Sequence, residues 1–203
     1  MWRTLQYYDE NGNRIKHLIV ERKEQILCET YILPTDCVLE LGARYGTVSC
    51  VINKKLSDQT RQVSVEPDER VWIALEANKL RNNCHFNIVN GFISKKKLAL
   101  TDTDAWCGYG TSSVEEPTSH IPSFTLEQIE EQFQIKFNVL VADCEGFLET
   151  FLDENPTFLD GLRLIIFEKD NPKKCNYKKI KEQLKQKGFC CLVSLFREAW
   201  VRS

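Results

Sequence analysis

Polar side chains follow the short apolar runs of this chain at five places, where each run ends: Glu40, Glu66, Asn90, Asp143 and Glu168. The runs have the length and composition of buried strands. The carboxyl ends of parallel strands meet at one edge of a sheet, where ligands bind. Carboxylates there can accept hydrogen bonds from hydroxyl groups, hold a cation or take up a proton. The sequence therefore predicts a ligand site built mainly from acids.

A glycine-bracketed turn follows the first of these runs. The segment VLELGARYG spans Val38 to Gly46, and the apolar periodicity of a helix begins directly after it. This order of strand, tight turn and helix leaves the backbone open to a ligand. The next run, VSV, ends at Glu66, where a carboxylate can accept both hydroxyls of a ribose. Together the two segments predict an adenosine-type cofactor.

The residues of the turn favour S-adenosylmethionine over NAD. A dinucleotide turn needs a middle glycine for the pyrophosphate, whereas Gly42 and Gly46 enclose Ala43 and two bulky residues. Glu40 would repel a pyrophosphate but suits the ammonium group of an amino acid. The backbone of Gly42, Ala43 and Gly46 is therefore predicted to contact the methionine part. The alternative is that both glycines serve only the tight connection between strand and helix.

The adenosine part is expected to lie along the next two strand ends. Glu66, followed by Pro67, is predicted to bind the ribose hydroxyls. Asn90, followed by Gly91, is placed to meet the adenine edge, although an asparagine there can also serve only a turn. Phe92 is predicted to pack on the adenine ring or in the core.

Methyl transfer from a sulfonium is an in-line displacement, so the protein must align an acceptor and help to remove its proton. Asp143 is the first candidate base, with a methionine contact or a helix cap as alternatives. His120 is the second candidate. Glu168 is assigned a catalytic role through a metal, because Asp143, Glu168, Asp170 and Asn171 offer the oxygen ligands that Mg²⁺ or Mn²⁺ prefers. Such an ion would lower the pKa of an acceptor hydroxyl.

The long segment Gly91–Phe124 is predicted to be irregular, either as a functional loop or as a small hairpin insertion. Loops at this edge of a sheet commonly recognise substrate. Trp106, Tyr109 and His120 are the candidate substrate contacts, because aromatic rings stack well on sugar faces. The alternative is a loop that carries its own small apolar cluster.

Composition limits the partners of the chain. It has 203 residues and a formal net charge of −2, so no basic field favours nucleic acid as a partner. No apolar stretch approaches the 18 residues of a membrane span, and the polar start does not resemble a secretory signal. The nine cysteines include no metal-binding spacing. We therefore expect reduced thiols and a cytoplasmic protein.

Strand and helix signals alternate along the chain, which predicts one α/β domain with a mainly parallel, Rossmann-like sheet covered on both faces. Residues 1–37 are predicted to form a hairpin and helix cap on the cofactor-binding part, residues 38–203. The predicted helices include His17–Tyr31 and Asp68–Asn82. The segments Phe189–Ser194 and Glu198–Arg202 are predicted to close the sheet as an antiparallel hairpin.

Several motifs resemble the FkbM family of S-adenosylmethionine-dependent methyltransferases. They are VLELGARYG, VSVEPD, FTLEQI, NVLVADCEGFLETFL and LIIFEKDN, and they cover Val38 to Asn171. The most distinctive element is D-x-E-G, here Asp143 to Gly146. The resemblance implies a class I methyltransferase fold with seven strands, the last antiparallel, and methylation of a hydroxyl, often on a sugar, glycan or polyketide. The family usually has a lysine two residues before the aspartate, where this chain has Val141.

The sequence thus predicts an S-adenosylmethionine-dependent O-methyltransferase that acts on a sugar or glycan, alone or together with glycosyltransferases. One alternative is a module that binds the cofactor or a partner without turnover. The other is an NAD-dependent oxidoreductase, which would need a middle glycine in the turn and has no use for the D-x-E-G element.

Overall fold

The computed structural model describes residues 2–19, 21–101 and 111–202. Its strands are β1 (Val38–Leu41), β2 (Gln62–Glu66), β3 (Asn87–Asn90), β4 (Phe92–Ile93), β5 (Leu98–Leu100), β6 (Ser113–Glu115), β7 (Ser123–Phe124), β8 (Val139–Ala142), β9 (Leu164–Glu168), β10 (Cys190–Ser194) and β11 (Arg197–Val201). Its α-helices are α1 (Arg22–Tyr31), α2 (Thr47–Lys55), α3 (Trp72–Arg81), α4 (Leu126–Phe133), α5 (Leu148–Glu154), α6 (Phe158–Gly161) and α7 (Tyr177–Gln186).

Seven strands form one sheet in the order β10-β11-β9-β8-β1-β2-β3. The strands from β9 to β3 pair in parallel, whereas β11 is antiparallel to both β9 and β10. This topology confirms the predicted Rossmann-like α/β fold and its C-terminal antiparallel hairpin. From β1, the chain adds β2 and then β3 on one side of that strand. It then returns to the other side of β1, where it adds β8 and β9. Ligands bind at such a switch of direction.

The central strands are buried on both faces because alternate residues enter two separate apolar layers. Leu39 and Leu41 of β1 belong to the larger layer, which includes residues of α4, α5 and α7. Val38 belongs to the opposite layer, with residues of α1 and α2. The sheet is thereby fixed from both sides, and its carboxyl edge is held in one position.

The prediction of a helix over His17–Tyr31 is wrong at its beginning, because α1 begins at Arg22. Glu21, directly before it, has a left-handed backbone with φ of 58°, a conformation that a right-handed helix excludes. His17 is buried and packs edge-on against the Tyr7 ring, with the ring centroids 4.9 Å apart. Tertiary packing therefore overrides the helical periodicity of this segment.

The helix predicted over Asp68–Asn82 also begins later, at Trp72. Asp68 forms a turn instead: its carboxylate accepts the Arg70 amide at 3.1 Å and its carbonyl accepts the Val71 amide at 3.1 Å. Asp68 is thus not in the first helical turn as predicted. An aspartate that bonds the backbone two residues on competes with the helix for those amides.

The segment between β3 and α4 contains the small hairpin that was one of its two predicted forms. Strands β5 and β6 pair antiparallel, and β4 pairs in parallel with β7. Helix α4 begins with a capping box, in which Thr125 and Gln128 bond reciprocally. Trp106 and Tyr109 lie outside the described residues. Within the described ranges, no helix is long and apolar enough to cross a membrane.

Candidate active site

A cavity of about 370 Å³ lies at the carboxyl edge of the sheet. Its wall is formed by the ends of β1, β2, β8 and β9, the start of β11, the segment before α1, and the β5–β6 hairpin. The lining residues are Glu21, Leu41, Gly42, Arg44, Val65, Glu66, Pro67, Asp68, Gly91, Phe92, Ile93, Leu100, Thr111, Ser113, Asp143, Cys144, Glu145, Phe147, Glu168 and Arg197. Acids and apolar side chains therefore share one enclosed space, as a ligand with both polar and aromatic parts requires.

Gly42 brings the turn after β1 against the turn after β8. A Cβ atom at Gly42 would lie 1.8 Å from the carbonyl oxygen of Asp143, and the glycine has φ of 90°. The Asp143 amide also donates to the carbonyl of Leu41 at 3.0 Å. The close approach of these two turns therefore requires a glycine at this position, with or without a ligand. Contact with a methionine part is an additional role that stays a prediction.

Gly46 and Ala43 do not line the cavity. Gly46 has φ of 76°, and a Cβ atom there would lie 2.9 Å from Leu75 Cδ1. Ala43 is buried in an apolar cluster that also contains Leu75. Both residues support the connection from β1 to α2, and their predicted contact with the methionine part stays a prediction.

Glu66 is a buried acid of the cavity wall whose carboxylate is fixed by the backbone. The Arg44 amide donates to Glu66 Oε2 at 2.6 Å, and the Asp68 amide donates to Oε1 at 2.8 Å. Burial raises the pKa of Glu66 to about 7, although both amides favour the charged form. Each oxygen has a second lone pair, so the carboxylate can accept two hydroxyl groups from the cavity side.

The residues predicted around adenine separate into two groups. Gly91, Phe92 and Pro67 line the cavity, together with Ile93. Asn90 is exposed and does not line it. An apolar wall next to a buried carboxylate can hold a planar ring attached to a ribose, and Asn90 is the one predicted adenine contact that falls outside this wall.

Glu40 is not at the cavity, contrary to its predicted place beside the ammonium group. Strand β1 continues to Leu41, and the alternation of the strand turns Glu40 toward the α1 and α2 face. Its Oε2 accepts the Ser64 hydroxyl at 2.6 Å. Burial raises the pKa of Glu40 to about 7. The acid that ends the first apolar run is therefore part of the core beneath the site.

Asp143 and Glu168 follow the neighbouring strands β8 and β9, on the other side of β1 from β2 and β3. Their carboxylate oxygens, with one from Glu24 of α1, all lie within 4.8 Å of one another. Arg197 of β11 lies across from Glu168 in the β9–β11 register and forms an ion pair with it. Burial raises the pKa of the Asp143 carboxyl, and the charges of Glu24 and Glu168 raise it further.

Asp170 does not join this group. Asp170 accepts hydrogen bonds from the Glu145 amide, the Asn171 amide and the Tyr177 hydroxyl. The predicted metal set of Asp143, Glu168, Asp170 and Asn171 is thus divided by the structure. Because Asp170 already accepts three hydrogen bonds from its own chain, its carboxylate stabilises the turn after β9.

His120 lies outside the cavity lining. Its side chain is 76% exposed, and its Nε2 is 3.1 Å from the carboxylate of Glu69. The structure therefore brings Asp143, but not His120, to the cavity as a candidate base. Trp106 and Tyr109, predicted as substrate contacts, lie outside the described residues and stay predictions.

Solved structures of methyltransferases share this arrangement of strands and helices. The chain has a Rossmann-like methyltransferase fold. Precorrin-6y C5,15-methyltransferase from Geobacter metallireducens aligns with a TM-score of 0.56 and 12% identity over 93% of both chains. The O-methyltransferase from Bacillus cereus, solved in complex with S-adenosylhomocysteine, aligns with a TM-score of 0.53 and 13% identity over 88% of this chain and 78% of that one.

A third example is the ribosomal protein L11 methylase from Lactobacillus delbrueckii subsp. bulgaricus, with a TM-score of 0.53 and 12% identity over 90% of this chain and 79% of that one. No protein-family model and no curated protein matches the chain by sequence. The resemblance to the FkbM family therefore stays a prediction. At identities this low, the shared fold is what the comparisons establish.

Three residues of the cavity wall have backbones that are unusual for non-glycine residues. Glu21, Arg44 and Glu145 have φ of 58°, 42° and 51°. Such strain collects at functional sites, where the surrounding structure maintains it. Glu21 and Arg197 were not predicted as site residues. They lie far from the motifs along the chain, so no spacing in the sequence connects them to Asp143.

Proposed function

We propose that this protein is an S-adenosylmethionine-dependent methyltransferase. The observation that carries the proposal is Glu66, a buried carboxylate at the end of β2 that two backbone amides hold facing the cavity. In a sheet of this topology, an acid at that position suits the two hydroxyls of a ribose. The fold shared with methyltransferases supports the same assignment.

The lining of the cavity fits the three parts of the cofactor in order. Phe92 and Ile93 provide an apolar wall for the adenine, and Glu66 lies next to it for the ribose. The methionine part would then extend along Gly42 toward Asp143. Bound in this way, the cofactor supplies an electrophilic methyl group at the Asp143 end of the cavity.

Asp143 is the proposed general base. Its carboxyl lines the cavity, and its raised pKa makes the carboxylate a stronger base near neutral pH than an exposed aspartate. It would take the proton of an acceptor hydroxyl while the hydroxyl oxygen bonds the methyl carbon and the carbon–sulfur bond breaks. Alignment of the three reacting atoms is the second contribution of the wall.

The acceptor is proposed to be a hydroxyl compound, with a sugar or glycan suggested by the FkbM resemblance. Leu100, Thr111 and Ser113 of the β5–β6 hairpin close the cavity on the side away from the sheet. A hairpin in this position can select among acceptors. Cooperation with glycosyltransferases in the cytoplasm is part of the same proposal and rests on the resemblance.

Calorimetric titration with S-adenosylhomocysteine, and with NAD as the rival ligand, tests the proposal. We expect micromolar binding of S-adenosylhomocysteine alone. Glu66→Gln should weaken it about 10- to 100-fold, because a charged acceptor of two hydroxyl groups becomes neutral. Glu76→Gln is the matched control, since Glu76 is exposed on α3 and does not line the cavity. Binding of NAD, or of neither ligand, would overturn the proposal.

The same binding is expected to depend on pH. The pKa of Glu66 is raised to about 7, and the ionised carboxylate is the better acceptor for ribose hydroxyls. Affinity for S-adenosylhomocysteine should therefore rise with pH through about 7 and level off above it, with binding at pH 6 about three- to tenfold weaker than at pH 8. The difference between wild-type and Glu66→Gln profiles isolates this carboxylate. Parallel profiles would show that it does not contact the ribose.

A further inference from the structure

Four carboxylates from three separate parts of the chain converge at one end of the cavity. Glu21 and Glu24 come from the start of α1, Asp143 follows β8, and Glu168 ends β9. Glu21, Asp143 and Glu168 line the cavity, and Glu24 lies behind them. One carboxylate oxygen each of Glu24, Asp143 and Glu168 lies within 4.8 Å of the other two. This is an unusual concentration of negative charge, because like charges so close together repel strongly unless a cation joins them.

Arg197 neutralises part of this charge. It forms an ion pair with Glu168, and its Nε lies 3.6 Å from Glu24 Oε2. The Glu24 side chain is 2% exposed, and its Oε2 accepts no hydrogen bond from the described part of the chain. A buried carboxylate oxygen without a donor is costly, so the cluster has an unmet demand for a hydrogen-bonding cation.

The cluster lies on the acceptor side of the reacting methyl group. The proposed cofactor position runs over β3, β2 and β1 and ends near Asp143 at β8. Glu168 and Arg197 belong to β9 and β11, the next two strands in the sheet. Strands are spaced about 4.8 Å apart, so these two residues lie about one and two strand spacings, roughly 5 and 10 Å, beyond the cofactor's end. A cation bound there would belong to the acceptor molecule.

We propose that the methyl acceptor is a hydroxyl compound that also carries a protonated amine, and that Glu168, with Glu24 behind it, binds this amine. The inference rests on the proposed methyltransferase function and adds the substrate class. The amine stays protonated and donates hydrogen bonds to Glu168, and the charge of Glu24 behind it adds to the attraction. Asp143 takes the proton from the neighbouring hydroxyl as its oxygen accepts the methyl group. Amino sugars and amino alcohols have this combination of groups.

An ammonium suits the cluster better than a divalent metal ion does. The Arg197 guanidinium already contacts Glu24 and Glu168, so an incoming cation must share their oxygens with it. Mg²⁺ also requires near-octahedral coordination and retains several waters. An ammonium needs only acceptor oxygens in hydrogen-bond reach, and it leaves the Arg197 contacts in place.

The test is binding of small sugars to protein that has been saturated with S-adenosylhomocysteine, followed by NMR. D-Glucosamine, N-acetyl-D-glucosamine and D-glucose share one ring and differ only at carbon 2. We expect glucosamine to bind at least about tenfold more tightly than the two neutral sugars, because a charged hydrogen bond is gained. Glu24→Gln should remove this preference. Glu29→Gln, on the same helix but outside the group of acids, should keep it.

Two results would overturn the inference while leaving the proposed function intact. One is equal binding of the three sugars, or no binding of glucosamine, by protein that binds S-adenosylhomocysteine. The other is binding of Mn²⁺, detected by paramagnetic relaxation, that Glu24→Gln abolishes and that excludes glucosamine. Failure to bind S-adenosylhomocysteine at all would instead refute the proposed function. The order of the two titrations therefore distinguishes the failures.

Discussion

Gly42→Ala is expected to lower the free energy of unfolding by about 3–5 kcal/mol, a large part of the stability of a typical domain. The added Cβ would lie 1.8 Å from the Asp143 carbonyl oxygen, which is backbone and cannot rotate away. Relief of this overlap requires the turns after β1 and β8 to separate. The same movement would displace Asp143, so binding of S-adenosylhomocysteine should be lost in whatever fraction still folds.

Gly12→Ala is a matched control for this substitution. Gly12 has φ of 79°, close to the 90° of Gly42, but nothing lies within 4 Å of the Cβ position at Gly12. Its replacement should cost only the backbone strain of a left-handed alanine, about 1 kcal/mol. Urea denaturation of the two variants separates the overlap from the strain. Equal losses of stability would show that the two turns are not in contact as the structure has them.

Local patterns in the sequence were sufficient to predict the architecture of the sheet. The runs around Val38, Val63 and Val139 are rich in valine and leucine, and each forms a buried strand of the central sheet. The glycine turn after β1 and the acids at Glu66 and Asp143 follow from where those strands end. Such features depend on neighbouring residues along the chain, which a sequence displays directly.

The predictions were wrong where a side chain could face either side of the sheet and where tertiary contacts made a helix begin later. Glu40 lies one residue before the end of β1, and this single position turns it away from the cavity. The first turn predicted for α1 is replaced by the packing of His17 on Tyr7. Neither outcome is encoded in periodicity, since both depend on what lies opposite in the folded chain.

The group of acids at Asp143 illustrates why Glu24 and Arg197 were not predicted as site residues. Glu24 and Glu168 are 144 positions apart, and Arg197 is near the end of the chain. Glu24 reads in the sequence as an ordinary polar residue of a helix. Only the packing of α1 against the sheet makes it a buried neighbour of Asp143. Long-range convergence of this kind requires the fold before it can be recognised.

Glu24→Gln is expected to stabilise the protein above neutral pH by about 2 kcal/mol, which corresponds to a Tm about 4–8 °C higher for a chain of this size. Burial, with the charge of Glu21 as a second cause, raises the pKa of Glu24 to about 8 from an ordinary value of 4.5, although Arg197 opposes the shift. The folded state therefore holds this proton more tightly than the unfolded state. The contribution of this proton to the free energy of unfolding is complete below about pH 4.5 and is lost as the pH rises toward 8.

Glutamine has the shape of glutamic acid and no charge. The variant should therefore keep the stability that the wild-type protein is expected to lose between pH 5 and 8.5. Glu21 and Glu168 interact with the same Arg197, whereas the charge of Glu24 raises the pKa of Asp143, so removal of that charge should lower the pKa of Asp143 as well. Thermal unfolding at pH 5 and pH 8.5 measures the effect, with Glu29→Gln as the control on the same helix. Equal Tm differences at both pH values would contradict the prediction.

A gain in stability together with a loss of amine preference would be the signature of a binding site rather than of a structural ion pair. Replacement of a residue that supports the fold destabilises the protein. Replacement of a charged residue that is kept for a ligand by a neutral one often stabilises the protein. Arg197 alone cannot compensate Glu21, Glu24, Asp143 and Glu168 when all are ionised. If the chain retains this repulsion because an acceptor cation relieves it, glucosamine should raise the Tm of the wild-type protein near neutral pH, where its amine is still protonated, more than that of Glu24→Gln.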